Sequence, residues 1–498
     1  MSTRLDLPEQ AARWLKERVG GTLCADSRQV GQGDGFIAWP GTATDGRRYV
    51  GAALVAGASA CLVEHDGAEA YGFADDRVAT YAGLKAATGA IASAYFGAPS
   101  EQLQTVAITG TNGKTSTAWW LAQALTRLQR KCGVVGTLGI GQPGAMVANG
   151  LTTPDPVLLQ QQLRRFVQEG FSVCALEASS IGLEEGRLEA TRLQVAVFTN
   201  FTQDHLDYHA SMQDYWHAKK RLFNWPGLQA AVINIDDAKG LELSTGLAGS
   251  PLDVWTVSCV GPARLQARAI EHGLHGLRFE VVEGGESHSL STAMVGQYNV
   301  ANLLGVLASL RALNVPLSDA VKACFDLVPV PGRTETLAQQ DAPLVVIDYA
   351  HTPDALEKVL AALKPVAQRR GGRLWCVFGC GGDRDPGKRP LMAAAAERHA
   401  DQLVLTSDNP RGESALAIIE QILPGLSRAQ AAQVLPDRHA AIAHALQLAQ
   451  PQDVVLLAGK GHENYQEIKG VKFAFSDREQ AQAALNARAA KRVVETPA

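Results

Sequence analysis

The sequence predicts an α/β protein of three domains, and three observations lead there. At 498 residues the chain exceeds what one hydrophobic core organises. Short β-branched runs alternate with helical patterns along most of its length. Breaks rich in Gly and Pro fall at Gly97-Ala98-Pro99-Ser100 and Pro329-Val330-Pro331-Gly332, which divides the chain into residues 1–99, 100–330 and 331–498.

The central part is organised around Val106 to Thr117. A β-branched run ends at Thr109, and Gly110-Thr111-Asn112-Gly113-Lys114-Thr115-Ser116 leads into a helical stretch from Ala118 to Leu128. Strand, glycine loop and helix in that order form a phosphate cradle: backbone N–H groups close on phosphate oxygens, Lys114 reaches the β/γ-phosphates and Thr115 can ligand magnesium. Ile108 stands where the common pattern has its first glycine, so the loop is a shortened variant. A Gly-Lys-Thr tripeptide alone is an ordinary turn; the flanking strand and helix favour ATP or GTP. The loop is silent on the reaction.

Composition excludes several classes. Hydrophobic residues make up 46% and charged residues 19%, as in globular proteins, and the net charge of −4 with no long basic run gives no footprint for nucleic acid. Neither a membrane span nor a signal peptide is predicted, so a cytoplasmic enzyme is expected. The eight cysteines are scattered among apolar residues and read as buried thiols. Cys376 and Cys380 lack the second pair that a zinc site needs.

In chain order, the first part alternates helix and strand, with polar loops at Asp26-Ser27-Arg28 and Pro40 to Tyr49 and a helix from Tyr81 to Phe96. From spacing alone those loops are solvated turns. In the central part, strands are expected at Gly133–Thr137, Ser172–Glu177, Val195–Asn200 and Val232–Asp237, and Thr152-Thr153-Pro154-Asp155 opens a helix. Ligand sites gather at the carboxyl ends of parallel strands, which makes Glu177 a metal-ligand candidate. Asp204 to His209 is unusually polar; His205 and His209 lack the glutamate of a zinc-protease helix. Lys219-Lys220-Arg221 in a helix normally marks a solvated face.

Residues Leu252 to Thr292 alternate as strands of a smaller antiparallel sheet, and an amphipathic helix is expected from Tyr298 through Leu313. Its Asn299 either meets a nucleotide base or caps the helix. Beyond Arg333, strands at Leu344–Ile347, Leu374–Phe378, Gln402–Thr406 and Val454–Leu457 alternate with helices. A Rossmann-like unit follows, with its ligand crevice at the loops after each strand.

The loops resemble a known family. Gly110 to Thr115, Glu177 with Ser179-Ser180, Asp204-His205-Leu206-Asp207, Tyr298-Asn299-Val300-Ala301-Asn302, Gly332-Arg333 and Asp348-Tyr349-Ala350-His351 look like the ATP-dependent Mur ligases of peptidoglycan synthesis. The likeness runs across all three parts. Asp408-Asn409-Pro410-Arg411 is similar to the signature of members that take meso-diaminopimelate rather than L-lysine. A guanidinium can grip the distal carboxylate of that amino acid with paired charge-assisted hydrogen bonds.

The resemblance implies addition of meso-diaminopimelate to UDP-MurNAc-L-Ala-D-Glu through an acyl phosphate, with ATP as co-substrate and Mg2+ as cofactor. It implies a UDP site at Ser27, Thr42, Ala43 and Thr44, with Thr152, Thr153, Ser179 and Arg187 meeting the rest of that nucleotide substrate. Asn299, Arg333 and Asp348 complete the ATP site. Arg384, Asp408, Asn409, Pro410, Arg411, Gly459 and Glu463 hold the amino acid. Thr115 and Glu177 serve one metal, His205 and a carbamylated Lys219 the second, and Lys114, His205 and Lys219 are the catalytic set. The expected partners are these small molecules alone, and a monomer is expected.

Two departures stand out. Gly412-Glu413-Ser414-Ala415 keeps one acid where relatives carry an acidic pair and proline, and Ile181 and Glu185 replace histidine and glutamine. Rival readings are the lysine-adding ligase, a folylpolyglutamate synthetase-like ligase and an ATP-driven switch. Arg411 argues against the first, the hundred or so residues before the phosphate loop against the second, and the polar investment in Glu177, His205 and Lys219 against the third.

Overall fold

The computed structural model describes residues 3–41, 44–273 and 276–495. Three main sheets carry the chain. The first has five parallel strands in the order Thr3–Leu5, Val78–Tyr81, Ala60–Glu64, Gly35–Ala38, Leu23–Cys24. The helix expected from Tyr81 starts at Leu84, because Tyr81 completes a strand.

The central sheet has eleven strands. At its middle Gln104–Thr109 lies between Val173–Glu177 and Val195–Phe198, all parallel, with Ile108 opposite Glu177 and Thr109 opposite Phe198. That register brings the phosphate loop, Glu177 and the segment after Phe198 to one end of the sheet. Helices cover both faces. Lys114–Arg127 and Gln297–Ala312 pack together on one, while Pro156–Gln168 belongs to the core on the other.

Two expectations change here. Leu252 to Thr292 does not form a separate sheet: Asp253–Ser258 pairs in parallel with Ala230–Asn234, and the strands Leu265–Gly273, Gly276–Glu283 and Glu286–Thr292 extend the same ladder outward. Gln297–Ala312 is buried on most sides rather than amphipathic, because it is held between the sheet and the phosphate-loop helix.

The third sheet has six strands in the order Glu335–Leu337, Leu344–Asp348, Val454–Ala458, Leu374–Phe378, Gln402–Leu405, Ala432–Val434, all parallel except the first. A hairpin of Tyr465–Ile468 and Val471–Ala474 follows. Cys376 and Cys380 lie buried in this core, their thiols pushed up by burial.

Arg438 and Asp477 form a fully buried bidentate pair, both 0% exposed, that ties the helix Asp477–Glu495 to the sheet. Removing one partner leaves an uncompensated buried charge. Asp477→Ala is expected to cost about 3–5 kcal/mol and to lower the melting temperature by roughly 10 °C, read by differential scanning calorimetry.

Candidate active site

The chain leaves Thr109 and turns through Gly110 and Gly113, the latter at φ +88, before the helix begins at Lys114. The turn is clasped from the neighbouring strand: Thr111 N donates to Asn200 O (2.8 Å), Asn112 N to Asn200 Oδ1 (2.9 Å) and Thr199 Oγ1 to Asn112 O (2.6 Å). Lys114 Nζ donates to Gly110 O and Thr111 O, each at 2.8 Å. Burial pushes its pKa down, against the pull of Glu177 and Asp204.

Thr115 Oγ1 donates to Glu177 Oε2 at 3.0 Å and accepts from Arg333 across the cleft at 3.2 Å. Thr137 also donates to Glu177, through N at 2.8 Å and Oγ1 at 3.1 Å. A cavity of about 700 Å³ opens beside these groups, lined among others by Asn112, Gly113, Ser116, Asn299, Arg333 and Asp348. The residues expected for ATP thus converge from the central and C-terminal sheets. Asn299 spends its side chain within its own helix region, donating to Val295 O (2.8 Å) and accepting from Asn302 (3.2 Å). Asp348 accepts from Thr334 N (2.7 Å) and Oγ1 (3.1 Å), and burial raises its pKa although Arg333 opposes.

Lys219 parts company with its charged neighbours. It is 1% exposed, donates to Gly110 O at 2.9 Å and lies over the Tyr215 ring, while Lys220 and Arg221 face solvent. Burial first, and Lys114 second, push its ammonium well below the ordinary lysine range. His205, at φ +55, is driven by burial to about 4 and stays neutral at pH 7. Oxygen donors at Thr115 and Glu177 are of the type that suits magnesium. Among the described residues no group of three or more His, Cys, Asp and Glu could hold a metal.

Asp204 and its neighbours join the two units. Asp204 is 7% exposed and faces His205 Nε2 (3.6 Å), His351 Nε2 (3.8 Å) and Lys388 Nζ (3.9 Å), the last two from the C-terminal unit. Burial favours its neutral form, but the surrounding His205, His351 and Lys388 outweigh it and hold its carboxyl well below the usual range. Gln203 reaches Asp385 (3.2 Å), and Asp207 reaches Arg384 (3.8 Å).

Thr152, Thr153, Ser179 and Arg187 form one network. Thr153 Oγ1 donates to Glu177 O (2.7 Å) and meets Ser179 Oγ (3.0 Å), Arg187 donates to Thr153 O (3.0 Å), and Thr152 reaches Thr137 (3.1 Å). Ser179 also caps the Ser180–Glu184 helix. No hydrogen bond or ion pair links Ser27 or Thr44 to this network among the described residues, and Thr42 and Ala43 lie outside them. Glu185 takes Lys85 of the N-terminal unit and Tyr208, each at 2.6 Å.

At the C-terminal sheet, Asp408, Asn409, Gly459 and Glu463 gather. Asn409 Nδ2 donates to Glu463 Oε2 (2.8 Å), and Gly459, at φ +112, stands where a Cβ would lie 2.4 Å from Asp408 Oδ2. Arg411, at φ +48, donates to Gly382 O (2.8 Å), with Glu467 at 3.6 Å. Pro410 O accepts from Glu413 N (2.9 Å). Glu413, the single acid kept after Arg411, is gripped by buried Arg389 at 2.8 and 2.9 Å and so secures the loop. Arg384 and Arg411 both flank Gly381. Sequence reasoning missed Lys460, which is 0% exposed beside Glu463 and Asn409. Its signal was a lysine between two glycines after a buried strand.

This arrangement is that of an ATP-dependent ligase, with a phosphate loop facing a second α/β unit across a cleft. The profile of the Mur ligase middle domain matches residues 108–310, and that of the Mur ligase glutamate ligase domain matches residues 332–461. The chain belongs to the Mur ligase family. Over 487 residues it is 58% identical to UDP-N-acetylmuramoyl-L-alanyl-D-glutamate--2,6-diaminopimelate ligase of Acidovorax sp. (strain JS42), covering 96% of this chain and 97% of that protein. The protein of that name from Pseudomonas aeruginosa is 47% identical over 465 residues, covering 93% and 95%. A solved structure of a ligase so named superposes with a TM-score of 0.64 at 35% identity, covering 94% of this chain and 95% of the other.

At Gly113 an added Cβ would lie 2.4 Å from Asn302 Oδ1, on a backbone that L side chains rarely adopt. Gly113→Ala is expected to weaken ATP binding roughly tenfold, measured by isothermal titration calorimetry, with the circular dichroism spectrum unchanged.

Proposed function

We propose that the chain adds meso-diaminopimelate to UDP-MurNAc-L-Ala-D-Glu at the expense of ATP, in peptidoglycan synthesis. The observation that carries this reading is a pair of sites: the Lys114–Thr115–Glu177 cradle and, on the C-terminal unit, acidic Asp408 and Glu463 with Arg411 on the same loop as Asp408. Acids suit the distal ammonium of the amino acid, and the guanidinium suits its distal carboxylate. The near-full-length identity to ligases of that name supports the substrate choice.

In this reading residues 1–99 hold the UDP end, with Ser27 and the Thr42–Thr44 loop as contacts, residues 100–330 hold ATP, and residues 331–498 hold the amino acid. Thr152, Thr153, Ser179 and Arg187 meet the rest of the nucleotide substrate. The terminal carboxylate of the D-glutamyl residue attacks the γ-phosphorus, ADP leaves, and the amine of the amino acid then displaces phosphate from the acyl phosphate. Lys114 and Arg333 face the transferring phosphoryl group and stabilise its charge. Gly110 and Thr111 carbonyls hold Lys114 until phosphate oxygens replace them. Magnesium, taken by Thr115 and Glu177 and by His205 with carbamylated Lys219, supplies further charge neutralisation when bound. Neutral His205 is the form a metal ligand requires, and burial moves Lys219 in the direction that carbamate formation requires. No helix among the described residues is long and apolar enough to cross a membrane, and a cytoplasmic monomer is the working state in this reading.

The test is phosphate release from ATP with UDP-MurNAc-L-Ala-D-Glu, comparing meso-diaminopimelate, L-lysine and no amino acid, with the product weighed by mass spectrometry. A tripeptide product with meso-diaminopimelate alone is expected; equal turnover with lysine overturns the amino acid assignment. Arg411→Ala is expected to lose roughly thirtyfold in kcat/KM for meso-diaminopimelate. Lys219→Ala is expected to lose at least about a hundredfold in kcat, with partial recovery on adding short carboxylic acids, and full activity without them rules out the carbamate.

A further inference from the structure

The amino acid pocket contains a buried lysine to which no role has been given. Lys460 follows the Val454–Ala458 strand and is fully covered. Its Nζ donates to Asn409 Oδ1 and to Glu463 Oε2, both at 3.0 Å, and the Tyr465 ring lies 5.5 Å away. The Asn409 carbonyl oxygen is then saturated, while among the described residues its amide spends one of its two N–H donors. Its Oδ1 accepts from Lys460 and from Glu467 N (3.0 Å), and its Nδ2 donates to the same Glu463 Oε2 (2.8 Å).

The arithmetic of donors has a consequence. Glu463 Oε2 is filled twice, by Lys460 and Asn409. Asp408 Oδ1 is filled by Asn409 N (2.7 Å). Among the described residues no hydrogen bond is made by Glu463 Oε1 or Asp408 Oδ2, and Asp408 Oδ2 lies against Gly459, where only a missing side chain leaves room.

We infer that Lys460 is a positioning and specificity-determining residue: by tying Glu463 Oε2 to Asn409 it leaves Glu463 Oε1 and Asp408 Oδ2 as the acceptors for a primary ammonium at the far end of the amino acid. Asn409 belongs to the same scaffold, tied to Glu463 through one of its two N–H donors. Lys460 does not reach the substrate itself, since it is covered on all sides. Without it Glu463 loses its only ion-pair partner among the described residues and is free to change rotamer, so the pocket no longer distinguishes a distal ammonium from its absence.

The inference rests on the amino acid assignment proposed above, and the experiment separates the two. Initial rates of ADP formation by the full chain are compared for meso-diaminopimelate and 2-aminopimelate, which keeps the distal carboxylate and lacks the distal amine. The unaltered protein is expected to prefer the diamine. Lys460→Gln is expected to cut that preference about tenfold by raising KM for meso-diaminopimelate, with KM for ATP and for the nucleotide substrate unmoved. Glu463→Gln should do the same, and the double variant should lose nothing further. Lys460→Met is measured in parallel, and whichever variant keeps the melting temperature is used in the cycle. An unchanged preference, or losses that multiply in the double variant, overturns the role of Lys460. Absence of any preference in the unaltered protein overturns the amino acid assignment first.

Discussion

A buried and a half-buried lysine share one acceptor: the Nζ atoms of Lys219 and Lys114 both donate to Gly110 O, at 2.9 and 2.8 Å. Two ammonium groups held together away from water repel each other and lose hydration, and that combination is stable only where anions are due to arrive or where one amine gives up its proton. Glu177 and Asp204 act on Lys114 in the opposite sense. The middle of the central sheet sets this up, because Gln104–Thr109 delivers the loop while its two parallel neighbours deliver Glu177 and the Thr199–Asn200 clasp.

The same demand for negative charge reaches across the cleft. Asp204 stands between His205 on its own side and His351 and Lys388 on the other, so a single carboxylate links the phosphate-loop side of the cleft to the C-terminal unit. Gln203 with Asp385 and Asp207 with Arg384 lie on the same short segment. The polar run after Phe198 is a seam between units, and its polarity follows from meeting charged loops rather than apolar helices.

Much of this was readable from residue order. The phosphate loop announced itself because its chemistry is contiguous: glycines, lysine and hydroxyls must be consecutive for backbone amides to converge. Four strands of the C-terminal unit were equally plain, being short apolar runs, whereas the edge strands Glu335–Leu337 and Ala432–Val434 carry no such run. Less legible were Leu252–Thr292, whose alternation is the same in a separate sheet and at the edge of a larger one, and Gln297–Ala312, whose burial depends on a helix nearly two hundred residues earlier in the chain. Among the described residues no hydrogen bond or ion pair joins Ser27 or Thr44 to Thr153 or Arg187, so their common ligand rests on resemblance.

Sequence by itself determined the α/β class, the phosphate loop, and the residue types at each strand end, because these depend on local order and periodicity. Only the tertiary structure decided which charges are buried and with whom. Lys219, Lys220 and Arg221 are indistinguishable as a run, yet packing against Tyr215 and Gly110 hides the first and leaves the others in water. Lys460 is likewise one lysine among many until Asn409 and Glu463 close on it. Desolvation and charge pairing are sums over neighbours distant in the chain, and no local pattern encodes them.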